Sequence, residues 1–255
     1  MTSSIITGIF LPPVCIFCKC LIRPKGELAA DFFGQVLDVC EKCLARLPFK
    51  EFREHVVPCL SNPYENDPIP DLRAVVPFRY QEPIVAALRA LKFHDAPYIA
   101  RALAFFMGEA VLRSEMTFDA VLPVPLSVER QRMRGYNQAR LLAEPIAKRL
   151  NLPCPEGFLI RTRNTKQQSR YSDPALRSQN VSGAFLVPED VCLDNLSILL
   201  VDDVFTTGST IHEAALTLYL SGARHVTALT AASGRHSTED ESGSLSKRVR
   251  SRRTK

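Results

Sequence analysis

The chain predicts an α/β fold, a parallel sheet flanked by helices, with a small metal-held module ahead of it. Apolar runs of strand length alternate with stretches of helical spacing, and one such run ends in two adjacent carboxylates and a hydroxyl-rich loop. Two Cys-x-x-Cys pairs stand near the start. A length of 255 residues with 46% hydrophobic composition accommodates one medium domain and a small accessory one.

Residues 1–60 carry both cysteine pairs and form the module. Residues 61–71, with Pro63, Pro68 and Pro70 among polar neighbours, read as a linker. The main domain covers 72–233. Its first strand is expected over 74–80, and residues 83–93 have helical apolar spacing with Pro83 at the first turn. A second helix is expected over 99–112, a short apolar strand over 121–124, and a helix over 138–150 capped by Asn137. Strands follow at 184–187 and 198–201, then a helix over 211–220 and a last strand over 226–232. This alternation argues for parallel pairing. Residues 234–255 are polar and aperiodic before a basic end, the pattern of a disordered tail.

The formal net charge is +5, but six basic residues lie within 247–255, which leaves residues 1–246 at −1. The body is therefore near neutral, without a basic stripe interleaved with aromatics. The tail reads either as a contact for nucleic acid or acidic lipid or as a solvated terminus. No run of about 18 apolar residues occurs, which excludes a membrane-spanning helix. The start lacks a basic segment and leads through Pro12 and Pro13 into cysteines, so it reads as mature sequence of a cytoplasmic protein.

Without a secretory signal, eight cysteines point to metal before disulfide. Cys15 and Cys18 form one pair, Cys40 and Cys43 the other, with 21 residues between them, slightly more than the usual ribbon interval. Four thiolates suit tetrahedral Zn²⁺ in a closed structural site. The metal supplies folding energy that so short a segment lacks in core, roughly 10–16 kcal/mol in zinc-finger peptides. A set of unligated thiols is the plainer alternative. Cys20 is an alternate ligand, while Cys59, Cys154 and Cys192 are lone and read as small packed or surface residues.

The most informative stretch runs from Ile198 to Thr210. Its apolar strand leads into Asp202 and Asp203, then into Thr206, Thr207, Gly208, Ser209 and Thr210, and then into a helix. In open parallel sheets ligands bind at the carboxyl ends of strands, where the following helix offers unpaired N–H groups to an anion. A phosphate therefore belongs on the loop, with Gly208 keeping the turn open. The two carboxylates suit sugar hydroxyls or an Mg²⁺ bridging ligand oxygens. A buried strand followed by an ordinary polar cap is the bland alternative. The strand also resembles a Walker B segment, but no Gly-Lys-Ser/Thr occurs to complete that reading.

A second constellation follows the strand end at Pro123 and Val124. Arg130, Arg132 and Arg134, with Gly135, place guanidinium forks where paired oxygens of a diphosphate can be held. A solvated basic turn is the alternative for any single arginine.

The segment from Ile198 to Thr210 resembles the phosphoribosyl pyrophosphate motif of type I phosphoribosyltransferases over its whole length. That resemblance implies that Asp202 and Asp203 face the ribose hydroxyls and that Thr206, Thr207, Gly208, Ser209 and Thr210 cradle the 5′-phosphate. Together with Leu-Pro-Pro-x-Cys at 11–15, Ala-Leu-Lys-Phe at 90–93, Pro-Val-Pro-Leu at 123–126, Arg-Gly-Tyr-Asn-Gln at 134–138, and the blocks at 161–169 and 180–185, the chain is similar to the ComF family. The likeness runs over 11–232. It implies a type I phosphoribosyltransferase core, an approach of Lys92 and Arg134 to the diphosphate alongside Pro123, Val124 and Arg130, and a loop over 161–182 that closes on the site. Such a lid would exclude water from an oxocarbenium-like centre. Members often carry a second cysteine pair after the first ribbon; Cys59 has no near partner here.

Three functions follow. One is transfer of phosphoribosyl from phosphoribosyl pyrophosphate to an amine or base, with Mg²⁺, as in the pentosyl-transferring glycosyltransferases of nucleoside metabolism. Another is a non-catalytic sensor of phosphoribosyl pyrophosphate or nucleotide. The third is a competence factor that handles single-stranded DNA or binds DNA-uptake proteins.

Overall fold

The computed structural model describes residues 13–22, 37–50, 56–59, 72–94, 96–162, 183–205 and 208–233, with backbone alone for 56–59. The segments 61–71 and 234–255 lie outside the described residues. In chain order the described elements are α1 (Glu41–Leu44), β1 (Val56–Cys59), β2 (Leu72–Val75), β3 (Phe78–Arg79), α2 (Ile84–Phe93), α3 (Ile99–Arg113), β4 (Ala120–Pro123), α4 (Val128–Arg134), α5 (Gln138–Leu150), β5 (Ile160–Arg161), β6 (Phe185–Leu186), β7 (Ser197–Phe205), α6 (Ser209–Leu220) and β8 (His225–Ser233).

The main sheet runs β1-β2-β8-β7-β4, with β3 also on β8. Every pairing in it is parallel except β1 with β2, where Val56 stands opposite Val75. The antiparallel edge comes from residues that sequence patterning left within the cysteine-rich segment. The strand expected over 74–80 divides into β2 and β3 around Val76 and Pro77, since proline has no N–H for a ladder. The one expected over 184–187 is β6, which pairs antiparallel with β5 in a separate two-stranded sheet.

Burial on both faces explains the apolar run of β7. Ile198, Leu199, Leu200 and Val201 are all fully buried, as central parallel strands require. Strand side chains alternate between faces. Leu199 and Val201 therefore join one core with α2, α3 and the Leu142–Ile146 stripe of α5. Ile198 and Leu200 join the other, with Ile211, Ala214 and Leu218 of α6. Leu229 and Ala228 of β8 divide in the same way.

The cysteine-bearing segment packs on the first of these cores. Ile16, Leu37, Val39 and Leu47 share it with Phe78 and α3. Arg101 of α3 donates to Asp38 at 3.0 Å, and Lys19 Nζ lies 3.3 Å from the Tyr98 hydroxyl.

Candidate functional site

The site residues gather at the carboxyl ends of β4 and β7. Pro123 stands opposite Val201, and the Val124 N–H donates to the Val201 carbonyl at 2.9 Å. The strand expected to stop at Val201 continues through the carboxylates to Phe205, because pairing with β8 continues through Asp202–Thr230 and Val204–Ala232. The acids therefore lie inside the strand, and adjacency sends them to opposite faces.

Asp203 shares the face of Leu199 and Val201. It is 6% exposed and its Oδ2 meets Lys92 Nζ of α2 at 2.8 Å. Asp202 shares the face of α6 and the β5–β6 hairpin, and its Oδ1 accepts the Asp203 N–H at 2.8 Å. Burial, and then the charge of Asp203, push the Asp202 carboxyl up to about 7, against the opposing pull of Lys92 and Arg161. Thr230, opposite Asp202 and fully buried, has its Oγ1 without a partner among the described residues.

Where sequence reading saw an arginine-bearing loop, the structure has a short helix, α4. Ser127 caps it by accepting the Arg130 N–H at 3.4 Å, and Gly135 ends it at φ 74°, a left-handed conformation that suits glycine. The following turn is tied to its surroundings at both ends. Tyr136 donates to the Leu91 carbonyl at 2.8 Å, and Asn137 both donates to the Val124 carbonyl at 3.1 Å and caps α5 through Ala139 at 3.0 Å. Arg134 donates to Gln138 Oε1 at 2.9 Å and lies over the Phe93 ring, its Cζ 5.2 Å from the centroid. Gln138 is 2% exposed and its Nε2 is unpartnered among the described residues. Lys92, Arg134, Pro123 and Val124 are thus brought together beside the aspartates.

Gly208 adopts φ 82° as the N-cap of α6, directly ahead of Ser209 and Thr210. Thr206, Thr207 and residues 163–182 lie outside the described residues. Arg161 was not singled out from sequence as a site residue, though it heads the block at 161–169. It stands on β5 with its Cζ 5.2 Å from the Phe185 ring centroid. Burial and then Arg130 lower its pKa, while Glu213 and Asp202 favour its charge, so it belongs to the Asp202 side of the cluster. Glu213 of α6 holds the hairpin in place by accepting the Ala184 N–H at 2.7 Å.

Arg130, Arg132 and Arg134 share α4 with Met133, 79% exposed, and Arg134 lies over Phe93, 68% exposed.

Cys15, Cys18, Cys40 and Cys43 form a separate cluster whose sulfurs all lie within 4.8 Å of one another. Cys18 and Cys40 Sγ are 3.6 Å apart, close to the edge of about 3.8 Å for a tetrahedron with 2.3 Å Zn–S bonds. The donor set fits a structural zinc ion. Hydrogen bonds from Cys20 hold the Cys18 thiol down to about 6, and the same contact pushes Cys20 up to about 12. Burial, and then Cys18, also raise Cys43.

No family model matches the chain. It is 32% identical over 221 residues to competence protein F of Haemophilus influenzae, covering 83% of this chain and 93% of that protein. It is 34% identical over 225 residues to the DNA utilization protein YhgH of Salmonella typhimurium, covering 85% and 95%. Competence protein ComFC of Bacillus subtilis is 36% identical over 102 residues, 40% of this chain and 39% of that one. Among solved structures, a glutamine phosphoribosylpyrophosphate amidotransferase from B. subtilis in complex with ADP and GMP superimposes with a TM-score of 0.41 at 20% identity, covering 56% of this chain and 30% of that one.

Proposed function

The chain belongs to the ComF family, and on that premise we propose that it binds phosphoribosyl pyrophosphate with Mg²⁺ at the carboxyl ends of β4 and β7 and transfers phosphoribosyl to an acceptor amine or base. The observation carrying this reading is the division of labour between the adjacent acids. Asp203 is committed to Lys92, whereas Asp202 carries a raised pKa beside Arg161. A carboxyl held near neutrality is ready to lose its proton when a cation or hydroxyl donors arrive.

Mg²⁺ takes one or two protein carboxylates when substrate phosphates supply other ligands, so Asp202 is the residue to hold it. The ion would neutralise charge on the diphosphate. Lys92 and Asp203 fix the floor of the site through their ion pair. Gln138 Nε2 and Thr230 Oγ1 are buried polar groups that ligand oxygens can satisfy. Thr206, Thr207, Gly208, Ser209 and Thr210 would take the 5′-phosphate at the start of α6. Arg130 and Arg134, with the backbone at Pro123 and Val124, would take the pyrophosphate, and Arg130 and Arg161 both favour an anion between them. Calorimetry with phosphoribosyl pyrophosphate, with and without Mg²⁺, tests binding. A screen of bases for pyrophosphate release then tests transfer, and binding without release for any acceptor leaves a sensor.

A second reading is contact with single-stranded DNA at α4 and Phe93. Exposed Phe93, with Arg134 over its ring, and exposed Met133 on the arginine-bearing helix α4 join a stackable ring to phosphate-binding cations, and relatives are named for competence and DNA utilization. Phe93→Ala should weaken single-stranded DNA retention on filters at low salt, and unchanged retention rejects this surface.

A further inference from the structure

The first cysteine knuckle carries one thiol more than a tetrahedral site uses. Cys20 Sγ lies 3.1 Å from Cys18 Sγ, nearer than Cys40 Sγ at 3.6 Å. Cys18 and Cys20 are both exposed. The backbone explains the contact. Lys19, between them, takes a left-handed φ of 61°, a costly conformation for a residue with a Cβ. It is held there by Nζ, 3.3 Å from the Tyr98 hydroxyl and 5.6 Å from its ring centroid, and by hydrogen bonds from Lys19 N to Cys15 O and from Cys15 N to Cys20 O. The strained turn brings the two sulfurs together.

Cys18 therefore has two roles that exclude each other, as a ligand with Cys15, Cys40 and Cys43 and as a disulfide partner for Cys20. We propose that Cys18 and Cys20 form a reversible redox pair, oxidised by low-molecular-weight disulfides, that withdraws Cys18 from the four-thiolate site and loosens the metal. In the first step the Cys18 thiolate attacks one sulfur of the oxidant; the oxidant's S–S bond breaks and one small thiolate leaves, to be protonated by water. In the second, Cys20, having lost its proton to solvent, attacks the Cys18 sulfur of the mixed disulfide and expels the second small thiol. Two protein thiols are oxidised and one small disulfide is reduced to two thiols. The sulfurs close from 3.1 Å to about 2.05 Å. Three thiolates remain for the ion, and the small ring formed makes the link easy to reduce again.

The test uses the full chain, zinc-loaded, equilibrated across ratios of oxidised to reduced glutathione, with released zinc read by a metallochromic dye and cysteine linkage by peptide mass mapping. Wild type should lose zinc with a Cys18–Cys20 link and no retained glutathione, and dithiothreitol with zinc should restore the metal. Cys20→Ser should bind a full complement of zinc beforehand, need an about tenfold higher ratio to lose half of it, and retain glutathione on Cys18. Zinc loss at the same ratio in Cys20→Ser overturns the proposal. So does a wild-type map that joins Cys18 to Cys15, Cys40 or Cys43, or loss of zinc from Cys20→Ser before any oxidant is added.

Discussion

The cysteine cluster and the carboxylate site solve opposite problems of proximity. Cys18 and Cys40 are 22 positions apart and their sulfurs come within 3.6 Å, while Cys20 crowds the same Cys18, lowering its proton affinity as its own rises. Asp202 and Asp203 are neighbours in the chain, yet β7 turns them to opposite faces, Asp203 into an ion pair with Lys92 and Asp202 onto the Arg161 side, where the charges of Asp203 and Lys92 still reach it. Like groups are concentrated in the first region, which a dication rewards. In the second they face opposite sides of the strand, and Asp203 takes the ion pair with Lys92.

The largest expected effect breaks the cluster. Cys40→Ser with Cys43→Ser should remove the one zinc ion expected per chain. Because Ile16, Leu37, Val39 and Leu47 share a core with α3, it should also lower the melting temperature by well over the roughly 2–4 °C that 1 kcal/mol gives a chain of this size. Metal analysis and calorimetry check both. Equal zinc in the variant rejects the ligand set, and an unchanged melting temperature rejects the shared core.

Next comes the ion-paired acid. Asp203→Asn leaves Lys92 without its carboxylate and should cost about 1–3 kcal/mol, measured by urea unfolding. Its neighbour should behave in the opposite way. The folded pKa of Asp202, about 7, lies above its unfolded value near 3.9. The folded state thus holds an extra proton between those values, and stability falls as pH rises through that window. Asp202→Asn should therefore leave the ligand-free protein as stable as wild type at pH 4 and more stable at pH 8. Destabilisation at pH 8 would show that the charged carboxylate is already satisfied.

A smaller effect reads the same group through its ligand. Mg²⁺-dependent binding of phosphoribosyl pyrophosphate should weaken by up to about tenfold for each pH unit below 7, and Asp202→Asn should abolish that slope along with most of the affinity. A slope that persists in the variant assigns it elsewhere. The smallest effect is expected from the tail: truncation after Gly234 should leave phosphoribosyl pyrophosphate affinity unchanged. If residues 247–255 carry DNA affinity, truncation should remove most single-stranded DNA binding and its steep salt dependence. Equal DNA binding with and without the tail moves that role to α4 and Phe93.

Much of this was legible in residue order, because it depends on local geometry. The Cys-x-x-Cys spacing, the apolar run into Asp202, Gly208 before a helix and the span of α5 all follow from rules acting over a few residues. Even α4 had its signals, Ser127 ahead and Gly135 behind, although three arginines in seven residues read as a diphosphate-holding loop. The reach of β7 to Phe205 was hidden because aspartate disfavours strands by itself and only pairing with β8 carries the ladder through it. Partners were beyond the reach of any local rule. That Asp203 meets Lys92 and that Arg161 joins the Asp202 side through a two-stranded sheet depend on which helix covers which face of the sheet. That choice is made by long-range burial of two separate cores. Periodicity along the chain says which way a side chain points, and tertiary packing decides what it finds there.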